Sequence, residues 1–267
     1  NIPYRPEELE AIAKHIAEAD LPPVLYRYRR ATEWTIKELA APEIYVAGVE
    51  DMNDPLELLA PYEIDKEKLS EAMYDHVRNF ENYDHETAIA EVNKIDELRI
   101  KHFRDRITEQ RALTGLICAS ANPRSNRMWA YYAEAHKGIC IGYDTTLHPF
   151  FLASAISYGN PEKPFDFMEV IKQDSFQFKD LLSCRKGTEW EFEEEYRIPI
   201  GPMPADKTRL LPISQEAIVE IRFGVNIDKK FRQQIIETVN SYDTPPRLYQ
   251  MRCDSNTFTI VDHELSI

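Results

Sequence analysis

Apolar positions along this chain switch repeatedly between a helical and a strand period. After Pro6, residues Leu9, Ile12, Ala13 and Ile16 recur at i, i+3, i+4 and i+7, which predicts a short helix. Leu21-Pro22-Pro23 ends it, and Val24-Leu25-Tyr26-Arg27-Tyr28 alternates as a strand does. Thr32 to Leu39 reads as helix and Glu43 to Ala47 as a second strand, followed by the polar turn Glu50 to Pro55. From Lys66 to Ala112 the sequence is charged and helical, with Ile89, Val92, Ile95 and Phe103 marking an apolar stripe. The stripe is interrupted, so two or three helices are expected there rather than one.

β character returns with Leu116 to Ser120. Met128 to His136 predicts an aromatic helix, with Gly138 ending it in the left-handed conformation, and Gly138 to Asp144 a strand. Ala155 to Tyr158 reads as strand, Phe165 to Arg185 as helix and Tyr196 to Ile200 as strand. Ile218 to Phe223 adds a strand, Lys229 to Tyr242 a helix, and Leu248 to Met251 and Phe258 to Val261 two closing strands. Helices and strands alternate irregularly, and no internal repeat is present. The expectation is one α+β domain over residues 1–267, with a curved mixed β-sheet core and a helical insert or lid at about 62–112.

Composition narrows the function. With 43% hydrophobic residues over 267 positions the chain can bury a full core. Its 46 acidic residues against 32 basic ones give a net charge of -14, which argues against generic nucleic-acid binding but leaves room for one local basic pocket. Only 8 glycines occur, and neither G-x-G-x-x-G nor G-x-x-x-x-G-K-[ST] is present, so a nucleotide would be held without a glycine-rich loop. Cys118, Cys140, Cys184 and Cys253 form no C-x-x-C pair and read as reduced thiols, with Cys118 and Cys140 inert and buried among apolar neighbours. The first residues show no basic start followed by an apolar run, and no stretch approaches a membrane span. A cytoplasmic protein with no membrane partner is expected, one whose first few residues are missing because position 1 is not Met.

Four ordered segments are similar to the bacterial domain-of-unknown-function family 2971. They are Leu25-Tyr26-Arg27-Tyr28-Arg29, Asn53-Asp54-Pro55-Leu56-Glu57, the stretch from Met128-Trp129 through His136-Lys137-Gly138 to Ile141, and Lys186 with Trp190 to Arg197. The resemblance runs from about residue 24 to 224 and implies no activity, because that family has no settled biochemical role.

The acidic run carries the sharpest chemistry. In an extended segment Glu193 and Glu195 share a face and repel, and Arg197 on the same face is the nearest cation to offset them. The structural alternative is a solvated run with local ion pairs, Lys186 and Arg185 among them. This pattern also resembles, distantly, the ADP-ribosyltransferase superfamily, in which a basic residue on the first core strand and a late E-x-E-like pair flank an NAD-binding cleft. The resemblance implies an enzyme that cleaves the nicotinamide–ribose bond of NAD and transfers ADP-ribose to an acceptor macromolecule, in a toxin or phage-defence setting. Glu195, or else Glu193, would be catalytic, stabilising the oxocarbenium ion as a carboxylate does at a glycosidic carbon. Tyr26 and Arg27 would hold the cofactor, and Lys186 and Arg197 would be further contacts. The superfamily's middle Ser-Thr-Ser motif is matched only by Ala119-Ser120-Ala121.

Two other segments bear on a cleft. Asn53 and Asp54 before Pro55 form an Asx-type turn that needs no ligand, or reach a substrate ribose or base. Trp129, Tyr132 and His136 share a helical stripe, where aromatics usually pack as core, although the polar tips of Tyr132 and His136 suit a cleft. His136 equally suits a helix C-terminus. No metal site is expected. Two other functions fit the residues. One is a metal-assisted nuclease or phosphodiesterase using Asp54, Glu193 and Glu195. The other is a non-catalytic binding or regulatory module, which predicts no cleft where Arg27, Asn53 and Glu195 meet.

Overall fold

The computed structural model describes residues 6–56, 58, 62–63, 65–79, 83–94, 97–159, 165–166, 183–201, 203 and 209–265. In chain order the elements begin α1 (Pro6–Glu18), β1 (Val24–Arg29), α2 (Glu33–Ala40), β2 (Glu43–Tyr45), β3 (Tyr62–Glu63), α3 (Lys66–Asn79), α4 (His85–Val92) and α5 (Glu97–Leu113). They continue with β4 (Gly115–Ser120), α6 (Asn126–Tyr132), β5 (Ile139–Asp144), β6 (Ser154–Ala155), β7 (Ser157–Tyr158), β8 (Phe165–Asp166), β9 (Arg185–Lys186) and β10 (Glu195–Ile200). Last come β11 (Leu210–Pro212), β12 (Ile218–Phe223), α7 (Lys229–Val239), β13 (Arg247–Asp254) and β14 (Thr259–Glu264).

A mixed eight-stranded sheet runs β14-β13-β12-β5-β1-β4-β10-β6. Its neighbours are antiparallel except β12 and β13, which α7 joins as the crossover that a parallel pair requires. Alternation along each strand divides the core in two. Leu25, Ile117, Ile141, Ile198 and Ile221 bury on one face beneath Leu39 of α2 and Ile235 and Val239 of α7. Tyr26, Tyr28, Cys140 and Met251 bury on the other face against Met128 and Trp129 of α6. Trp129 is fully buried, its Nε1 donating to the Pro123 carbonyl at 2.9 Å, and Tyr28 meets it edge to face at 5.3 Å.

The sheet is forked in the middle. β1 pairs with β5 from Val24 opposite Asp144 to Arg29 opposite Ile139, but with β4 only through Tyr26 opposite Ser120. Past that point β4 turns to the chain after β2, where Ala47 and Leu116 exchange backbone bonds of 2.9 and 2.8 Å. Arg27 to Arg29 and Leu116 to Ala119 therefore face each other across a gap rather than across a ladder.

Several sequence expectations change. Leu9 and Ile16 of α1 are exposed, and Ile12 alone of that stripe is buried, because α1 packs on the rim near Phe150 to Leu152. In the insert Ala88 is buried and Ile89 exposed, while Ile95 and the side chain of Phe103 lie outside the described residues. The aromatic helix ends at Tyr132, and Glu134, Ala135 and His136 all take left-handed φ values of 52°, 51° and 66°. Gly138 is needed for a different reason than a left-handed turn: a Cβ there would sit 2.0 Å from the Arg29 carbonyl oxygen. The helix expected over Phe165 to Arg185 begins instead in β8 and ends in β9, and residues 167–182 between them lie outside the described residues.

Candidate functional site

A cavity of about 330 Å3 occupies the fork. β1 contributes Tyr26 to Arg29, β4 contributes Cys118 to Ser120, and α6 contributes Met128 and Tyr132. The remaining wall comes from Leu116, from Tyr45, Ala47 and the turn at Asp51 to Asn53, and from Lys186, Glu193 and Glu195. Because Arg27 and Arg29 alternate with Tyr26 and Tyr28, the fork draws side chains from both faces of the sheet into one concavity.

The acidic segment is not extended at Glu193. Thr188 to Glu193 form a 3-10 turn, Glu194 is left-handed (φ 45°, ψ 50°), and the strand starts at Glu195. Glu189, Glu191 and Glu194 point to solvent while Glu193 and Glu195 are buried. The two meet at Lys186 instead of by strand alternation: its Nζ donates to Glu193 Oε2 at 2.6 Å and to Glu195 Oε2 at 3.2 Å. Lys186 is itself buried, with its ammonium 4.7 Å over the Trp190 ring. Arg197 grips Glu195 with two bonds, Nε to Oε1 at 2.8 Å and Nη2 to Oε2 at 3.1 Å, and donates from Nη1 to the Ser183 carbonyl at 2.6 Å. The Glu195 backbone N–H donates to the Tyr158 hydroxyl at 2.8 Å.

These surroundings push the two carboxyls apart. Burial raises both, but at Glu195 the charges of Arg197 and then Lys186 outweigh burial and hold it below its ordinary pKa. The Cys118 thiol adds a hydrogen bond to Glu195, so this cysteine is half-buried in the cavity wall rather than inert in the core. At Glu193 burial wins over Lys186 and Tyr132, and the pKa is raised. Tyr132 donates its hydroxyl to Glu193 Oε1 at 2.5 Å and accepts from Asn53 Nδ2 at 2.6 Å. Burial lifts the Tyr132 phenol too, so it stays a neutral donor.

The cavity gathers Tyr26, Arg27, Asn53, Tyr132, Lys186, Glu193 and Glu195 of the residues expected from the sequence. Arg197 is fully buried behind Glu195 and is absent from the cavity wall. Asp54 turns away, accepting from the Leu56 N–H at 2.9 Å as an Asx turn does. His136 stacks on Trp129 with ring centroids 6.2 Å apart, and burial lowers its pKa. Sequence reasoning missed Arg29, whose Nη2 donates to Glu38 at 2.5 Å, although a second arginine on the core-facing side of β1 already calls for a carboxylate. It also missed Tyr158 and Ser183, which meet the site only through the tertiary fold.

Among the described residues no group of three or more His, Cys, Asp or Glu side chains is placed to hold a metal ion, so Asp54, Glu193 and Glu195 do not form the cluster a metal-assisted nuclease needs. No helix among the described residues is long and apolar enough to cross a membrane. Comparison with protein-family models, with curated proteins and with solved structures gives no match.

Proposed function

We propose that the fork cavity binds NAD and that the protein is an ADP-ribosyltransferase-like enzyme that cleaves its nicotinamide–ribose bond. The observation that supports this reading is the convergence of Arg27, Asn53 and the Glu193–Glu195 pair on one cavity. The basic residue lies on β1, Ser120 on the adjacent β4, and Glu195 at the start of β10, the next strand, with Glu193 in the turn that leads into it. All four segments that resemble family 2971 contribute to this cavity or its support.

The reaction needs no acid for its leaving group. When the glycosidic C–N bond breaks, its electron pair returns to the pyridinium nitrogen and nicotinamide departs neutral. Positive charge grows on the ribose C1 and O4, and carboxylate oxygens at the cavity wall stabilise it. Glu195, kept ionised and fixed by Arg197 and Lys186, supplies a charge that does not reorganise. Glu193, less firmly ionised, hydrogen-bonds a ribose hydroxyl and takes the proton that the attacking acceptor loses. The products are ADP-ribosyl acceptor, nicotinamide and one proton. Tyr132 joins Glu193 to the Asn53 turn, so substrate contact and base are positioned by one chain of bonds.

Calorimetric titration with NAD tests the reading. Wild type is expected to bind, and Asn53→Ala, which removes an exposed side chain, is expected to bind about tenfold more weakly. Absence of any binding heat from the wild type would overturn it.

A further inference from the structure

A second cavity, of about 420 Å3, adjoins the first and shares Arg29 and Tyr45 with it. Its size lies in the usual small-molecule range of about 300–1,000 Å3. The paired β2 and β11 place Leu210 opposite Tyr45, and the Val46 N–H bonds the Arg209 carbonyl at 2.7 Å, so this wall is built on a fixed ribbon.

Two features set the chemistry of an occupant. Trp34 is 71% exposed at the mouth, a large aromatic surface that the fold does not use for its core. Lys37 covers one side of it, with its ammonium 4.8 Å from the ring centroid. Arg29, Lys37 and Arg209 line the cavity beside Glu38 and Glu43, a local cluster of three cations in a chain whose net charge is -14. Glu38 is committed as well, to Arg29 at 2.5 Å and to Arg27 at 3.9 Å. Arg209 faces the exposed carboxylate of Glu50 at a loose 3.6 Å. A flat aromatic face beside clustered guanidinium and ammonium groups suits a ligand that is itself aromatic at one end and anionic at the other.

We propose that this second cavity is a nucleoside-phosphate subsite, in which Trp34 stacks the base and Arg29, Lys37 and Arg209 meet the phosphate. Resting on the NAD reading of the fork, it assigns the adenylate half of the dinucleotide to this subsite and the nicotinamide half to the fork, with Arg29 at the junction.

Titration calorimetry with AMP, and separately with nicotinamide mononucleotide, tests the assignment. Trp34→Ala and Arg209→Ala are expected to weaken AMP about tenfold each, from a lost stacking face and a lost charged contact, and to leave nicotinamide mononucleotide unchanged. Trp34 is exposed, so its variant keeps the fold, and thermal melts verify both. Failure of AMP to bind the wild type, or equal AMP affinity in all three proteins, overturns the subsite. If the wild type cleaves NAD while AMP affinity ignores both substitutions, the subsite fails and the NAD reading stands. If both variants lose AMP and the wild type never cleaves NAD, the subsite stands and the NAD reading fails.

Discussion

Glu193 and Glu195 are two residues apart and nearly equal in burial, yet their neighbours give them opposite character. Glu195 has a bidentate guanidinium and an ammonium; Glu193 shares the ammonium and a neutral phenol. A carboxyl whose pKa falls on folding contributes stability above its ordinary pKa and loses it as pH drops through the lowered value. One whose pKa rises contributes below its ordinary pKa and loses that as pH climbs through the raised value. Glu195→Gln leaves Arg197 and Lys186 short of a charge in the interior and is expected to cost about 3–5 kcal/mol in denaturant unfolding at neutral pH. Glu193→Gln, which removes a charge the site only weakly favours, is expected to cost about 1 kcal/mol or less in the same measurement. If Glu193 is the base, kcat/KM for NAD rises with pH along a limb whose midpoint lies above the ordinary glutamate value of about 4.3, and Glu193→Gln abolishes that limb. A limb below that value, or one that survives the substitution, contradicts the assignment. The spacing of the acidic pair and the need for a cation were legible in the sequence. Lys186 was legible too as a partner of the run, but as one half of a surface pairing beside Arg185. That it is buried and bridges both carboxylates was not, because its reach depends on a turn and on β9, neither of which has a local hydrophobic signature.

At the scale of elements, strands proved easier to read than the connections between them. β1, β4, β5 and β12 are short apolar or alternating runs, and such runs bury on a sheet almost wherever they are placed. The 3-10 turn at Thr188 to Glu193 is opened by Gly187 and the left-handed run at Glu134 to His136 lies just before Gly138, but neither stretch contains a glycine, proline or asparagine that announces its own conformation. The fork was equally hidden, since pairing of β4 with Ala47 rather than with more of β1 is a competition between two nonlocal partners. The turn that closes it depends on Asp51, whose Oδ2 accepts from the Gly48 N–H at 2.8 Å and from the Tyr45 hydroxyl at 2.9 Å. Asp51→Ala is expected to raise KM for NAD severalfold with little change in kcat, because Asn53 loses its fixed position while the carboxylates keep theirs. Equal losses in both constants would place Asp51 in the chemical step instead.

For the molecule as a whole, the acidic charge and scarce glycines take on a spatial meaning. The exposed part of the acidic run faces solvent, the buried part is held by Lys186 and Arg197, and cations collect where β1 and the β2–β11 ribbon meet. On the proposed reading, a protein without a glycine-rich loop holds a dinucleotide with side chains that line an opening in its own sheet. The most direct test is nicotinamide release from NAD at neutral pH, compared between wild type and Glu193→Gln of equal thermal stability. The expected result is release by the wild type with matching formation of ADP-ribose or its adduct, slowed about a hundredfold or more in the variant. Release by both proteins at the rate of a protein-free blank would contradict the account.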